Sequence, residues 1–146
     1  KLPNEVLYDY LYRPLRICGM IPNEGAKGGG PFWKKDARGK SLQIIEGVEL
    51  NSNNKDHQKA IEDSTHFNPV MMVCGITNHK GEKFSLYDFR DDKRFMVSEK
   101  TLGVSKIKIL EWPGLWNGGM ASWNSIFIEV PSDTFHPVKT ISDLIR

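Results

Sequence analysis

The chain has 146 residues, 39% hydrophobic and 26% charged, which suits one domain with a core and excludes a disordered tail. Its 20 basic and 18 acidic residues leave a net charge of +2, without the dense cationic stripe of a nucleic-acid binder. No apolar run approaches the roughly 20 residues that span a bilayer.

Asn4 reads as the N-cap of a helix over 5–12, where Val6, Leu7, Tyr8, Tyr10, Leu11 and Tyr12 give a broad apolar face and Pro14 stops it. Residues 15–21 read as a strand. Residues 22–31 form a loop, with Gly25 and then Gly28, Gly29 and Gly30 breaking regular structure. Phe32 and Trp33 open a strand, 36–39 turn, and 41–46 return as the hairpin partner. Residues 51–54 are a polar linker, and a short helix follows over 56–62. After a loop at 65–69, the run 70–77 is almost wholly apolar, the pattern of a strand covered on both faces. Residues 78–81 turn, and 84–89 alternate as a strand or a loop. The charge-rich 88–93 reads as a solvated face. Residues 106–110 alternate as a half-buried strand. An aromatic, Gly-rich loop at 112–120 precedes a strand at 125–130 and a short terminal helix at 140–145. Strands outnumber helices, so the expected fold is α/β, a mixed sheet with hairpin insertions.

Cys18 and Cys74 lie in apolar runs and read as reduced core residues, which points to a reducing cytoplasm. The polar, acidic first residues do not read as a signal peptide. The chain starts at Lys1 rather than Met, so it is expected to be a single domain over 1–146 or a fragment of something longer.

Four places could carry chemistry. Glu46 closes an apolar strand, where it either aims a carboxylate into a ligand crevice or stands solvated. Asn68, held extended by Pro69, either offers its amide to a sugar or bonds its own loop backbone. Gly28, Gly29 and Gly30 either bring backbone N–H groups to a phosphate or form a mobile loop, since neither P-loop nor dinucleotide spacing is present. In residues 112–120 two Trp residues and Asn117 either make a stacking wall or fold back onto the core. His66 has no partner at metal-ligand spacing and reads as structural. No Ser/His/Asp or Cys/His set stands out.

Two resemblances bear on these residues. The order Ile-Ile-Glu46, then Asn68 before a core strand, then Phe127-Ile-Glu-Val-Pro-Ser-Asp-Thr-Phe-His-Pro-Val-Lys139 is similar to the C-terminal half of the UDP-N-acetylhexosamine and UDP-glucose pyrophosphorylases. Over nearly the whole chain, Arg13-Pro-Leu-Arg-Ile-Cys-Gly-Met20, Gly28-Gly-Gly-Pro-Phe-Trp33, Thr65-His-Phe-Asn-Pro69 and Pro113-Gly-Leu-Trp-Asn-Gly118 resemble a bacterial family, domain of unknown function 4301, with a nucleotide-diphospho-sugar transferase-like fold. The second resemblance implies a fold only; the first implies the C-terminal part of a nucleotidyltransferase-like domain that joins a nucleoside triphosphate to a sugar 1-phosphate and releases pyrophosphate. It implies Lys139 on phosphate as the catalytic residue and Glu46 and Asn68 on the sugar; the Gly-rich and aromatic loops add Gly29 and Asn117 as expected substrate contacts. The implied cofactor is Mg2+, its ligands mostly outside this chain. The implied partners are a sugar phosphate or nucleotide sugar and an N-terminal half of the same protein, with no nucleic acid and no membrane. The rival expectations are a non-catalytic sugar-binding module and an interaction domain that presents the loop 112–116.

Overall fold

The computed structural model describes residues 2–24, 29–36, 39–136, 138 and 140–145. Its frame is β1 (Leu15–Pro22), a run whose alternate side chains Arg16, Cys18 and Met20 are all buried. Two further strands flank it. β8 (Asn124–Glu129) runs parallel along one side, from Leu15 opposite Asn124 to Met20 opposite Glu129. β5 (Met72–Gly75) runs antiparallel along the other, and the two-residue β4 (His66–Phe67) pairs with the last two residues of β1. The fold is therefore α/β with a mixed sheet, and two hairpins are inserted into it.

The first hairpin joins β2 (Gly30–Asp36) to β3 (Gly39–Ile45), in register from Gly30 opposite Ile45 to Asp36 opposite Gly39. An isolated bridge between Gly29 and Asn68 attaches it to the central sheet. The second joins β6 (Met96–Leu102) to β7 (Ser105–Glu111) through Gly103 and Val104. Gly103 has φ +60° while Val104 is not among the positive-φ residues, the type II′ pattern that glycine serves at the first turn position. β6 has no counterpart in the sequence expectations. Its middle residues, Ser98 to Thr101, are polar and charged, so the run lacks the apolar alternation that marks β7.

Two short helices, α1 (Asn4–Leu11) and α2 (Lys55–Glu62), lie outside the sheet, and neither contains a buried residue. Asn54 caps α2 by accepting from the backbone N–H groups of Asp56 and His57. Asn4 is not the cap of α1: Pro3 occupies that position, with no side-chain hydrogen bond. Residues 84–89 are not a strand but contain a 3-10 turn, Leu86–Phe89. Tyr12, Phe84 and Phe89 stack edge to face there, with ring centres 5.1 and 5.4 Å apart. The terminal helix is 3-10 over Ile141–Ile145.

Side chains directly opposite in a sheet share a face. Cys18, Met72 and Phe127 are thus on one face, and there they pack with Met20, Ile44, Trp116 and Met120 as the core. Ile17, Val73 and Ile126 form a row on the other face, where Val73 is 70% and Ile126 46% exposed. The expected strand over 70–77 is thus shorter than predicted and is not covered on both faces: Met72 is half-buried, and Val73, Cys74 and Gly75 are exposed. Cys74, expected in the core, is exposed, whereas Cys18 is fully buried. No helix among the described residues is long and apolar enough to cross a membrane.

Candidate functional site

Gly29, Glu46, Asn68 and Trp116 line one cleft of about 620 Å³, with Phe67, Val70 and Phe135 among its other walls. The volume falls in the range of small-ligand sites, about 300–1,000 Å³. Its position follows from strand ends. Glu46 is the residue after β3, Phe67 pairs with Ile21 near the end of β1, and Phe135 lies beyond β8. Phe135 meets Phe67 edge to face, with ring centres 5.8 Å apart. A crevice at strand carboxyl ends is where open α/β sheets bind ligands.

Glu46 is half-buried. Burial raises its carboxyl above the ordinary range, and the charges of Glu49 and Glu111 raise it further. Its backbone N–H donates to Glu49 Oε2 at 3.1 Å, and Glu49 in turn pairs with Arg94. Both partners of that ion pair are largely buried, so the turn Gly47–Glu49 beneath Glu46 is firmly anchored.

Asn68 is buried and its amide is committed to the backbone. Nδ2 donates to the carbonyls of Gly19 at 2.8 Å and Met71 at 3.3 Å, and Oδ1 accepts from Val70 N–H at 2.8 Å. Both amide protons are therefore used, and what remains is a second lone pair on Oδ1. These bonds hold Val70 at φ +63°, a conformation that a β-branched residue adopts only under constraint. The kink lies between β4 and β5, which pair with different parts of β1, and Val70 forms part of the cleft wall. Gly29 is fixed by packing: a Cβ there would sit 2.6 Å from Ile44 Cγ2.

The aromatic loop divides its two tryptophans. Trp116 is 7% exposed and serves both the core and the cleft, while Trp112 is 72% exposed. Asn117 does not line the cleft. It is buried, accepts from Gly114 N–H at 2.7 Å and donates to the Trp112 carbonyl at 3.1 Å, so it shapes the loop that carries Trp116. His66 lies between Thr65 Oγ1 at 2.8 Å and Glu129 Oε2 at 3.1 Å. Lys139 and Gly28 lie outside the described residues. Among the described residues no three His, Cys, Asp or Glu side chains come together as a metal site.

Sequence reasoning missed Phe67 and Phe135, which are separated by most of the C-terminal half and meet only through β1. It also missed Arg16, whose signal was a lone cation inside an apolar strand. Arg16 is fully buried. Nε donates to Ser125 Oγ at 2.9 Å and Nη2 to Gln43 Oε1 at 3.2 Å, and the guanidinium lies over the Trp116 ring. Burial lowers its pKa from the ordinary arginine value; Cys18 opposes the shift and Arg94 adds to it.

The mixed sheet with its strand-end cleft is a nucleotidyltransferase-like fold. It is similar to the crystal structure of a mutant UDP-glucose pyrophosphorylase from Leishmania major in complex with UDP-glucose, with a TM-score of 0.51 and 17% identity over 97% of this chain and 32% of that one. The chain thus spans about a third of the length of that enzyme. No curated protein matches it. The chain belongs to the family described as domain of unknown function (DUF4301), whose model matches residues 2–146.

Proposed function

We propose that this chain is the sugar-binding part of a nucleotidyltransferase-like domain that joins a nucleoside triphosphate to a sugar 1-phosphate. The observation that carries this reading is the convergence of Glu46, Asn68 and Gly29 on one cleft at the strand ends. The pyrophosphorylase with the same fold is seen with UDP-glucose bound. A carboxylate at Glu46 accepts hydroxyl hydrogen bonds from a hexose, and the rings of Phe67, Phe135 and Trp116 supply the apolar wall that sugar faces pack against. Asn68 acts by holding Val70 in place, with its spare lone pair toward the ligand. Asn117 acts through Trp116.

The reaction needs little covalent chemistry from the protein. The sugar phosphate oxygen attacks the α-phosphorus, pyrophosphate leaves, and catalysis is positioning and charge neutralisation. Lys139 supplies that charge in this proposal. Mg2+ would add to that charge, with its ligands mostly outside this chain.

The test is calorimetric binding of glucose 1-phosphate and UDP-glucose to the full-length protein, with turnover measured alongside. Glu46→Ala is expected to weaken both ligands by about tenfold, the loss expected for hydrogen bonds to a charged group. Lys139→Ala should lower turnover by about a hundredfold or more with the fold intact. Binding without turnover would make the protein a sugar-binding module, and binding of neither ligand would overturn the reading.

A further inference from the structure

Neither cysteine lines the strand-end cleft, yet the sheet brings both to one place. Gly19 N–H donates to the Met71 carbonyl, so the register of β1 with β5 makes Cys18 and Met72 a pair without backbone hydrogen bonds between them. Such pairs stand close, with Cα atoms about 4.5 Å apart. Arg16 and Cys74 form the next pair of that kind, and all four side chains lie on the core face of the sheet. Met72 packs against the cluster that holds Cys18, and Cys74 Sγ donates to Met72 Sδ at 3.4 Å. Two thiols and a thioether are thereby gathered on one face, with Met72 beside both cysteines. Cys74 is exposed and opens the group to solvent, while Cys18 is fully buried.

The spacing suits a bridging ion and not a disulfide. Cys18 and Cys74 stand on a cross-strand diagonal, where Cα atoms lie about 7–8 Å apart, and a disulfide spans no more than about 7 Å. Two metal–thiolate bonds of about 2.3 Å in place of one S–S bond of about 2.0 Å extend the reach by up to about 2.5 Å. No third His, Cys, Asp or Glu joins the two cysteines among the described residues, so the group does not offer the four ligands of structural zinc. Thiolate and thioether are soft ligands, which select copper(I). Charge selects in the same direction. Arg16 is fully buried, and the side-chain groups it bonds among the described residues are Ser125 Oγ, Met120 Sδ and Gln43 Oε1, none of them an acid. A buried cation without an anion is costly. A divalent ion on two thiolates is neutral and leaves that cost in place. A monovalent ion on two thiolates carries one negative charge and offsets it.

We propose that Cys18, Met72 and Cys74 form a binding site for copper(I), with two thiolates and one thioether as ligands and Arg16 as the counter-charge. Binding forms two copper–thiolate bonds and one copper–thioether bond and releases both thiol protons to water. The metal keeps its oxidation state throughout. It enters on the side of Cys74. The site does not rest on what the strand-end cleft binds.

Copper(I), supplied without oxygen as its acetonitrile complex, is the probe. It is titrated into the reduced, intact protein in competition with a copper(I)-binding dye. Retention of a single equivalent is expected, with sulfur as its only nearest neighbours in X-ray absorption. Cys74→Ser and Cys18→Ala should each weaken binding by at least about a hundredfold, since loss of a residue that merely supports a ligand costs up to that much. Met72→Leu, which conserves volume, should weaken it by about tenfold, because the neutral thioether is the lesser ligand. Zinc should bind at least about a hundredfold more weakly than copper(I). Cys74 is exposed, so Cys74→Ser keeps the fold, and matching thermal midpoints of the metal-free proteins check it. Failure to hold copper(I) against the dye overturns the proposal. So does binding that is lost in Cys74→Ser but undiminished in Cys18→Ala, which is capture by a single surface thiol. Zinc held as tightly as copper(I), or nitrogen and oxygen neighbours around the metal, would overturn it as well.

Discussion

The two faces of the central sheet are built from similar residues and meet different fates. On one face Cys18, Met20, Ile44 and Trp116 are sealed into a core; on the other Ile17, Val73, Ile126 and Ile128 form an apolar row that stays largely open. Hydrophobicity therefore does not decide which face is closed. The closed face has the β2–β3 hairpin and the loop of Trp116 to cover it, and the open face has no such cover among the described residues. Substitutions break the symmetry. Ile44→Ala should cost about 4 kcal/mol through lost burial and the cavity left behind. Ile126→Thr should cost no more than about 0.5 kcal/mol, as exposed changes do. Denaturant midpoints of the two variants check this. A cost for Ile126→Thr approaching that of Ile44→Ala in the full-length protein would show that further segments close the second face there.

The same contrast separates two ion pairs. Glu49 and Arg94 are 13% and 11% exposed in their side chains, while Arg90 and Asp92 are 35% and 66% exposed. Arg94→Ala leaves a carboxylate stranded beneath Glu46 and should cost about 3 kcal/mol. Asp92→Ala should cost at most about 0.5 kcal/mol. If the two variants unfold at the same denaturant concentration, the anchoring of the Gly47–Glu49 turn lies elsewhere.

The first hairpin, the β1 strand and both helices were legible because their periodicity and turn residues are local. The burial of β5 was not, because an apolar run states only that its side chains prefer cover. Whether cover exists on both faces depends on residues far away in the chain. β6 escaped because its polar middle hides the alternation. In the strand-end cleft, Glu46 and Asn68 could be singled out by their places at a strand end and before Pro69. The commitment of the Asn68 amide to Gly19, Val70 and Met71 could not, since it depends on how β4 and β5 meet β1. Arg16 was passed over inside its strand because its partners, Gln43 and Ser125, are 27 and 109 residues away.

A smaller effect distinguishes strain from packing in the wall of that cleft. Val70 sits at φ +63° and is 62% exposed, so it gains little from burial and bears the cost of the backbone. Val70→Gly should stabilise the fold by about 1 kcal/mol, the release of a left-handed β-branched residue. It should at the same time weaken glucose 1-phosphate, because the glycine removes a wall and loosens the kink that Asn68 holds. A variant that binds normally would separate the kink from the ligand.

The smallest effect sharpens the comparison at Glu46, where burial and the Glu49 and Glu111 charges raise the carboxyl pKa. The folded protein then holds this proton at pH values where the unfolded chain has already released it. The stability it contributes is complete at low pH and is lost as pH rises from the ordinary carboxylate range through the raised value. Glu46→Gln should therefore be slightly more stable than wild type above that window and no different below it. Binding runs the opposite way in the proposed site, since only the ionised carboxylate accepts freely from sugar hydroxyls. Across the same window wild type should gain affinity for glucose 1-phosphate relative to Glu46→Gln while losing stability relative to it. Denaturation and calorimetry over a pH series, read as the difference between the two proteins, cancel the titration of the ligand's own phosphate. Parallel curves for the two would remove Glu46 as the titrating group, and crossing trends would tie the destabilised carboxylate to the ligand it is placed to hold.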